Sequence, residues 1–341
     1  MATMSTVEWG FDTTGVSVVR AFSDRVNGKT ILITGPSPGG IGAKIATDLS
    51  EGASPAHIIL AGRDLVKIQP LVADLHKLNA SIRVDLVQLD LASFESVRKA
   101  AEEIANLTNQ IHYVFNNAGI MATKNFTKTV DNLETQFAIN HVGHFLLTGL
   151  LLPLITKAST TAAASGDHTL PVRIINLTSN GYIFQGVRFN DYNFQDGKEY
   201  GPWLGYGQAK SANILFAKIL SKKLKDFNAT SFSATPGLVL ETNLQSTVDR
   251  DVWASVGEAY DKAWEGRDKP PFEEPKPLAC GASTPLRAAL DPALSSSPGE
   301  YLMDCKIVDE SAKLDHIKGG EVGEKLWELS EKLVGQTFSI N

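Results

Sequence analysis

Short apolar runs and helical repeats take turns along this chain. Runs such as His57-Ile58-Ile59-Leu60-Ala61 lack polar alternation, the pattern of strands covered on both faces. Strands are expected near 29–34, 57–62, 82–88, 111–116, 172–178, 229–235 and 299–303. Between them apolar residues recur at helical spacing, as in Ile41, Ile45 and Leu49. Helices are expected near 41–51, 64–79, 93–107, 131–158, 205–226 and 279–290. This alternation predicts an α/β protein with a doubly wound parallel sheet. Two stretches break the rhythm: the small, polar 159–166 and the proline-rich 268–277, a loop. Neither separates two cores. One domain is expected over 28–341, with substrate loops about 238–278, after a surface extension at 1–27.

Composition narrows the class. The 341 residues are 43% hydrophobic and 21% charged, enough for one large core. A net charge of −6 gives no basic face, so nucleic acid is not an expected partner. The two cysteines, Cys280 and Cys305, have no CxxC spacing, which fits a reduced, cytoplasmic compartment. No run of about 18 apolar residues stands out, so no membrane span is expected. The first residues lack a basic-then-apolar signal pattern. The sequon at Asn176 falls inside an expected buried strand, where it cannot be glycosylated.

The chemistry begins at Thr34-Gly35-Pro36-Ser37-Pro38-Gly39-Gly40-Ile41-Gly42. It lies between a strand and a helix, the context that makes a glycine cluster a phosphate cradle. Pro36 and Pro38 have no N–H, so a pyrophosphate falls to the amides of Gly39, Gly40, Ile41 and Gly42. Gly42 also lets helix and strand approach. A rigid turn without a ligand is the plain alternative. At the end of the next strand, where an acidic residue would bind a ribose 2′-hydroxyl, stand Arg63 and Asp64. The planar fork of Arg63 suits a 2′-phosphate, and Asp64 suits a helix N-cap. Tyr206 and Lys210 lie four apart, on one face of a helix. A lysine beside the phenol, with an oxidised nicotinamide, favours phenolate and makes a usable acid or base. The other six tyrosines have no lysine four residues on. His141 and His144 are three apart, without a third ligand pattern or the carboxylate of HExxH. They are read as packing residues, and no metal is expected.

Together these stretches resemble the short-chain dehydrogenase/reductases, in the branch of retinol dehydrogenases and carbonyl reductases. The resemblance runs from about Lys29 to Tyr301. It rests on the glycine loop, Asp90-Leu91, NNAG at 116–119, NHVGHFLLT at 140–148, RIINLTS at 173–179, YGQAKSANILF at 206–216 and Pro236-Gly237. It implies a Rossmann fold. It also implies Tyr206 as proton donor or base, Lys210 on the nicotinamide ribose, and Ser179 on the substrate oxygen. Asn140 would hold a relay water. Gly35 and Ser37 would join the cradle, Asp90 and Leu91 the adenine site. Asn117, Ala118 and Gly119 would pass the nucleotide; Pro236, Gly237, Leu238 and Val239 would lie at the nicotinamide end. Strand neighbours face opposite ways, so only one of Thr178 and Ser179 points at the site.

Two departures stand out. The loop is one residue longer than the family's TGxxxGxG. The threonine expected after Pro-Gly is displaced, leaving Thr242 as candidate. Branch members often carry an N-terminal anchor that this chain does not show. The expectation is an NADP(H)-dependent oxidoreductase acting on a ketone or secondary alcohol of an apolar small molecule. Alternatives are an NAD-dependent alcohol dehydrogenase and a dinucleotide-binding regulator without turnover. A homo-oligomer is allowed for.

Overall fold

The structure, a computed structural model, describes residues 8–164 and 172–340. Its strands are β1 (Thr30–Thr34), β2 (His57–Gly62), β3 (Arg83–Gln88), β4 (Tyr113–Asn116), β5 (Val172–Leu177), β6 (Ala229–Ala234), β7 (Tyr301–Met303) and β8 (Lys306–Ile307). They form one sheet in the order β3-β2-β1-β4-β5-β6-β7-β8. The first seven are parallel and β8 returns antiparallel to β7. Chain direction across the sheet reverses between β1 and β4, the switch point where such sheets open a crevice at their carboxyl ends.

Around the sheet lie α1 (Gly15–Ala21), α2 (Ser23–Val26), α3 (Ile41–Gly52), α4 (Leu65–Leu78), α5 (Phe94–Leu107), α6 (Thr135–Phe137) and α7 (Gly143–Ala164). Then follow α8 (Pro202–Lys223), α9 (Asn243–Ser246), α10 (Arg250–Ala254), α11 (Val256–Ala263), α12 (Leu278–Gly281), α13 (Ser283–Leu290) and α14 (Gly320–Val334). Successive residues of the apolar strands divide between two cores. Leu32, Ile59, Val114 and Ile174 pack with α5, α7, α8 and α14. Ile31, Ile33, Ile58, Leu60, Phe115 and Ile175 pack with α1, α3, α4 and α13. The fold is a Rossmann-type α/β domain.

Four features depart from the sequence reading. The expected extension is built into the domain: Val18, Val19 and Val26 are fully buried in the second core. At Gly15, an added Cβ would come within 2.1 Å of Asp48 Oδ2 on α3, so only glycine lets α1 dock there. Residues 159–164 continue α7, and 165–166 lie outside the described residues. The region 238–278 carries α9, α10 and α11 instead of loop alone, and α14 was not foreseen at all.

The membrane reading also needs correction. Residues 135–161 are long and apolar enough to cross a bilayer by composition, although Asn140, His141 and His144 interrupt the run. Of that apolar window, 78% is buried within the fold. It is helix α7 with the turns before it, packed under the sheet as a core helix.

Candidate active site

The glycine loop is shaped by the residues on both of its sides. Gly35 has φ +64°, and a Cβ there would meet Ala118 Cα at 2.7 Å. The loop after β1 thus lies directly against the loop after β4, and glycine is required. Asn117 fastens the two: its Nδ2 donates to Thr34 O (2.8 Å) and Gly35 O (3.0 Å). At Gly42 a Cβ would meet that same Nδ2 at 2.5 Å and Gly35 O at 2.8 Å, so the helix start can approach only without a side chain.

The extra residue forms a turn. Gly40 N–H donates to Ser37 O at 2.9 Å, with Pro38 second and Gly39, φ +72°, third. Proline followed by a left-handed glycine is the type II arrangement. This corrects the cradle: the Gly40 amide is used within the loop. The helical ladder of α3 begins with Lys44 N–H to Gly40 O (3.0 Å). The amides of Ile41, Gly42 and Ala43 therefore face outward at the helix N-terminus, where the dipole favours an anion. Asn243 Nδ2 on α9 donates to Pro38 O at 2.9 Å and ties the turn to the far wall.

A cavity of about 1210 Å³ runs from this loop across the switch point. Of the expected cofactor residues, Gly35, Ser37, Gly40, Ile41, Arg63, Asp90, Leu91, Asn117, Ala118, Gly119, Pro236, Gly237, Leu238, Val239 and Thr242 line it, as do Tyr206 and Lys210. Gly39 and Gly42 do not: Gly39 is the exposed left-handed position of the turn, and Gly42 packs against Asn117 and Gly35. Arg63 is exposed, and no side-chain partner for it is found among the described residues. Asp64 is the N-cap of α4, accepting from Lys67 N–H at 3.2 Å. Lys67 lines the cavity beside Arg63, one helical turn on. Sequence reasoning passed over it, though the spacing was visible. The hydroxyl of Thr242 donates to Val239 O at 3.1 Å.

Ser179, Tyr206 and Lys210 share the wall at the other end. Ser179 Oγ accepts from Gly181 N–H (3.1 Å), which leaves its own proton for another acceptor. Thr178 is turned away, donating to Lys210 O at 2.8 Å, so the second residue of the pair faces the site. Gly181 was not foreseen: a Cβ there would meet Tyr206 Cε1 at 2.6 Å, so glycine seats the ring. Lys210 Nζ donates to Leu177 O at 3.2 Å and stands 5.5 Å from the Tyr206 ring centroid. Burial pushes the Lys210 ammonium down to about 8. Burial pushes the Tyr206 phenol up to about 12, against the hydrogen bond to Ser179, with the charge of Glu273 adding to the rise. The lowering expected of the phenol calls for an oxidised nicotinamide as well as Lys210; burial sets the direction here.

Asn140 does not reach the cavity wall. It lies in a π-helical turn, Ala138–Val142, and its amide is occupied: Oδ1 accepts from Ile120 N–H (2.8 Å) and Nδ2 donates to Ile120 O (2.9 Å). Through these two bonds it holds the loop after β4. A Cβ on Gly119 would meet Asn140 Oδ1 at 3.0 Å and Lys210 Nζ at 3.7 Å, so the three converge. Both nearby histidines have protein partners. His141 Nε2 meets Ser330 Oγ at 2.9 Å. His144 Nδ1 lies 3.2 Å from Asn140 O, an acceptor only, so that nitrogen carries the proton. His144 Nε2 then accepts from the Thr34 hydroxyl at 2.8 Å. Thr34 Oγ1 in turn accepts from Asn117 N–H (2.9 Å) and Ala118 N–H (3.0 Å). One chain of hydrogen bonds thus links the glycine loop to the turn that carries Asn140.

A glycine-lined helix N-terminus at the switch point of a parallel sheet, opening onto a Ser-Tyr-Lys wall, is the architecture of dinucleotide-dependent oxidoreductases. The family model for short chain dehydrogenase matches residues 29–181. Retinol dehydrogenase 12 of Mus musculus is 32% identical over 311 residues, covering 91% of this chain and 88% of the relative. The short-chain dehydrogenase/reductase prx1 of Penicillium roqueforti is 34% identical over 319 residues, covering 91% and 86%. A solved structure of an uncharacterised protein from Mycobacterium Paratuberculosis superposes with TM-score 0.66 at 25% identity, covering 92% of this chain and 96% of that one. The chain belongs to the short-chain dehydrogenase family. It is a hydride-transfer oxidoreductase that uses a nicotinamide dinucleotide and acts on small molecules.

Proposed function

We propose that this oxidoreductase uses NADP(H) and interconverts a ketone and a secondary alcohol of a largely apolar molecule, with Tyr206 as general acid and base. The observation that carries the reading is the meeting of Ser179, Tyr206 and Lys210 on one cavity wall with the glycine loop and Arg63. Three outward amides at the start of α3, beside a loop that needs glycine at 35 and 42 to pack against Ala118 and Asn117, fit a dinucleotide pyrophosphate. Arg63 and Lys67 would hold the 2′-phosphate, and Asp90 the adenine. Lys210 would hold the nicotinamide ribose, with Leu238 and Val239 against the ring. A bound nicotinamide supplies the hydride and, when oxidised, a positive charge beside the phenol. In the reducing direction the Ser179 hydroxyl would hydrogen-bond the substrate oxygen and keep its proton, and Tyr206 would give the one proton to the developing alkoxide. The buried phenol, hydrogen-bonded to Ser179, stays protonated until that charge appears.

The test is a carbonyl panel, retinal included, with NADPH oxidation followed for wild type and Tyr206→Phe. Wild type turns over at least one member. The variant keeps its NADPH dissociation constant and loses turnover. Residual rate within about tenfold of wild type, a barrier change near 1.4 kcal/mol, would remove Tyr206 from the acid role.

A further inference from the structure

The substrate end of the cavity is walled by Phe184, Trp203, Trp253, Tyr260, Trp264 and Phe272. Glu273 interrupts this aromatic lining. The Oε1 of Glu273 is buried and has no hydrogen-bond partner among the described residues, although the carboxyl is bonded by the Asn180 side chain and the Leu238 backbone. The neighbouring cation is already committed: Lys276, its side chain 1% exposed, pairs with Asp304. The carboxyl lies near the chemistry, since its charge reaches both Tyr206 and Tyr301.

The segment that carries Glu273 is held in place. Leu238 and Pro275 bridge, and Lys276 N–H donates to Leu238 O at 2.9 Å. The Tyr260 hydroxyl lies 3.0 Å from Pro270 O, and its ring stands edge-on to Phe272 at 5.1 Å. Glu273 is therefore a fixed wall residue next to the catalytic pair. Burial, with Asp304, pushes its carboxyl up to about 7, so both of its forms are present near neutrality. A hydroxyl can donate to one form and accept from the other, whereas a cationic amine needs the carboxylate.

We propose that Glu273 reads a hydroxyl on the substrate, so that the physiological substrate is a hydroxylated aromatic carbonyl compound and not a plain hydrocarbon aldehyde or ketone. The aromatic rings take up the flat apolar body, and Glu273 selects for the hydroxyl. The proposal rests on the dehydrogenase reading and narrows its substrate. Buried polar groups left unpaired by the wrong substrate are the strong source of discrimination in such sites.

The experiment uses 2-acetylnaphthalene, its set of monohydroxylated isomers and the matching aminomethyl compounds, which are cationic at neutral pH, with NADPH. Binding of NADPH and turnover of any ketone are read first. If both fail, the dehydrogenase reading falls and this proposal with it. The expected result is one hydroxylated isomer favoured over the parent in kcat/KM by roughly tenfold or more. Glu273→Leu brings that ratio close to one, and Glu273→Gln, whose amide still bonds a hydroxyl, keeps part of it. A purely structural role would lower all substrates together and leave the ratio alone. Should the leucine variant fail to fold by melting temperature, Glu273→Ala is read in its place. The proposal is overturned by a wild type indifferent to the hydroxyl, by a preference that survives removal of the carboxyl, or by an aminomethyl compound favoured over its hydroxyl counterpart.

Discussion

At the scale of single residues, the cofactor end turns on two cations that have no strong partner of their own. Arg63 is exposed at the carboxyl end of β2, and among the described residues Lys67 reaches only Asp64, at 3.4 Å between exposed side chains. Such a surface pair contributes little, so Lys67 is available to a phosphate. Arg63→Ala should weaken NADPH by about one to two decades, from a charged hydrogen bond of roughly 1.5–3 kcal/mol. NADH, which has no 2′-phosphate, should change little. Fluorescence titration of both cofactors measures this, and equal losses would make Arg63 structural. Lys67→Ala should show the same selectivity more weakly, since an ammonium lacks the planar fork.

At the scale of elements, the glycine loop separates shape from binding. Pro38 sets the second position of a turn whose amide bond lies within the loop. Pro38→Ala should therefore change NADPH affinity by under about 1 kcal/mol, through loop entropy. Gly42→Val should be far worse, because its side chain meets Asn117 and Gly35. Similar losses for both, in folded variants, would contradict this register. Helix α7 and the turn before it add a pH dependence. Burial pushes His141 down to about 3 and His144 down to about 4, so both stay neutral in the fold. The unfolded chain protonates them near 6.5. Their contribution is full above that value and is lost as pH falls towards 4. Comparing urea unfolding at pH 7 and pH 5, His144→Gln should lose about 2 kcal/mol less than wild type over that interval. An identical loss would mean that His144 is protonated in the fold.

At the scale of the whole molecule, the sheet and the helices between its parallel strands were legible, because fully covered strands read as unbroken apolar runs. Helix α14 was missed although Val322, Leu326, Leu329 and Leu333 repeat at helical spacing, a signal that went unread after the last expected strand. Its Trp327 lies 5.0 Å from Phe145 and 6.3 Å from Phe216, closing the first core. Trp327→Ala should cost about 3–5 kcal/mol in unfolding free energy; a change under about 1 kcal/mol would show that α14 is dispensable. The meeting of Tyr206, Lys210 and Ser179 at one cavity was legible, because each sits in a local motif. The site was not legible where segments far apart in sequence meet. Glu273 approaches Tyr206 from a proline-rich loop, and Asn140 is bound to Ile120 across a turn whose π geometry no spacing announces. The Gly40 amide was misassigned because its partner, Ser37 O, depends on the turn type the longer loop adopts.

In the proposed reaction this cavity delivers a hydride to a carbonyl carbon while Tyr206 donates the proton. NADPH carrying deuterium at the transferring position, incubated with a ketone that the protein reduces, tests it directly. Mass spectrometry of the alcohol should find deuterium on the carbinol carbon with wild type, and no alcohol above background with Tyr206→Phe under saturating NADPH. Alcohol without deuterium, or labelled alcohol formed by the variant within about tenfold of the wild-type rate, would contradict the account.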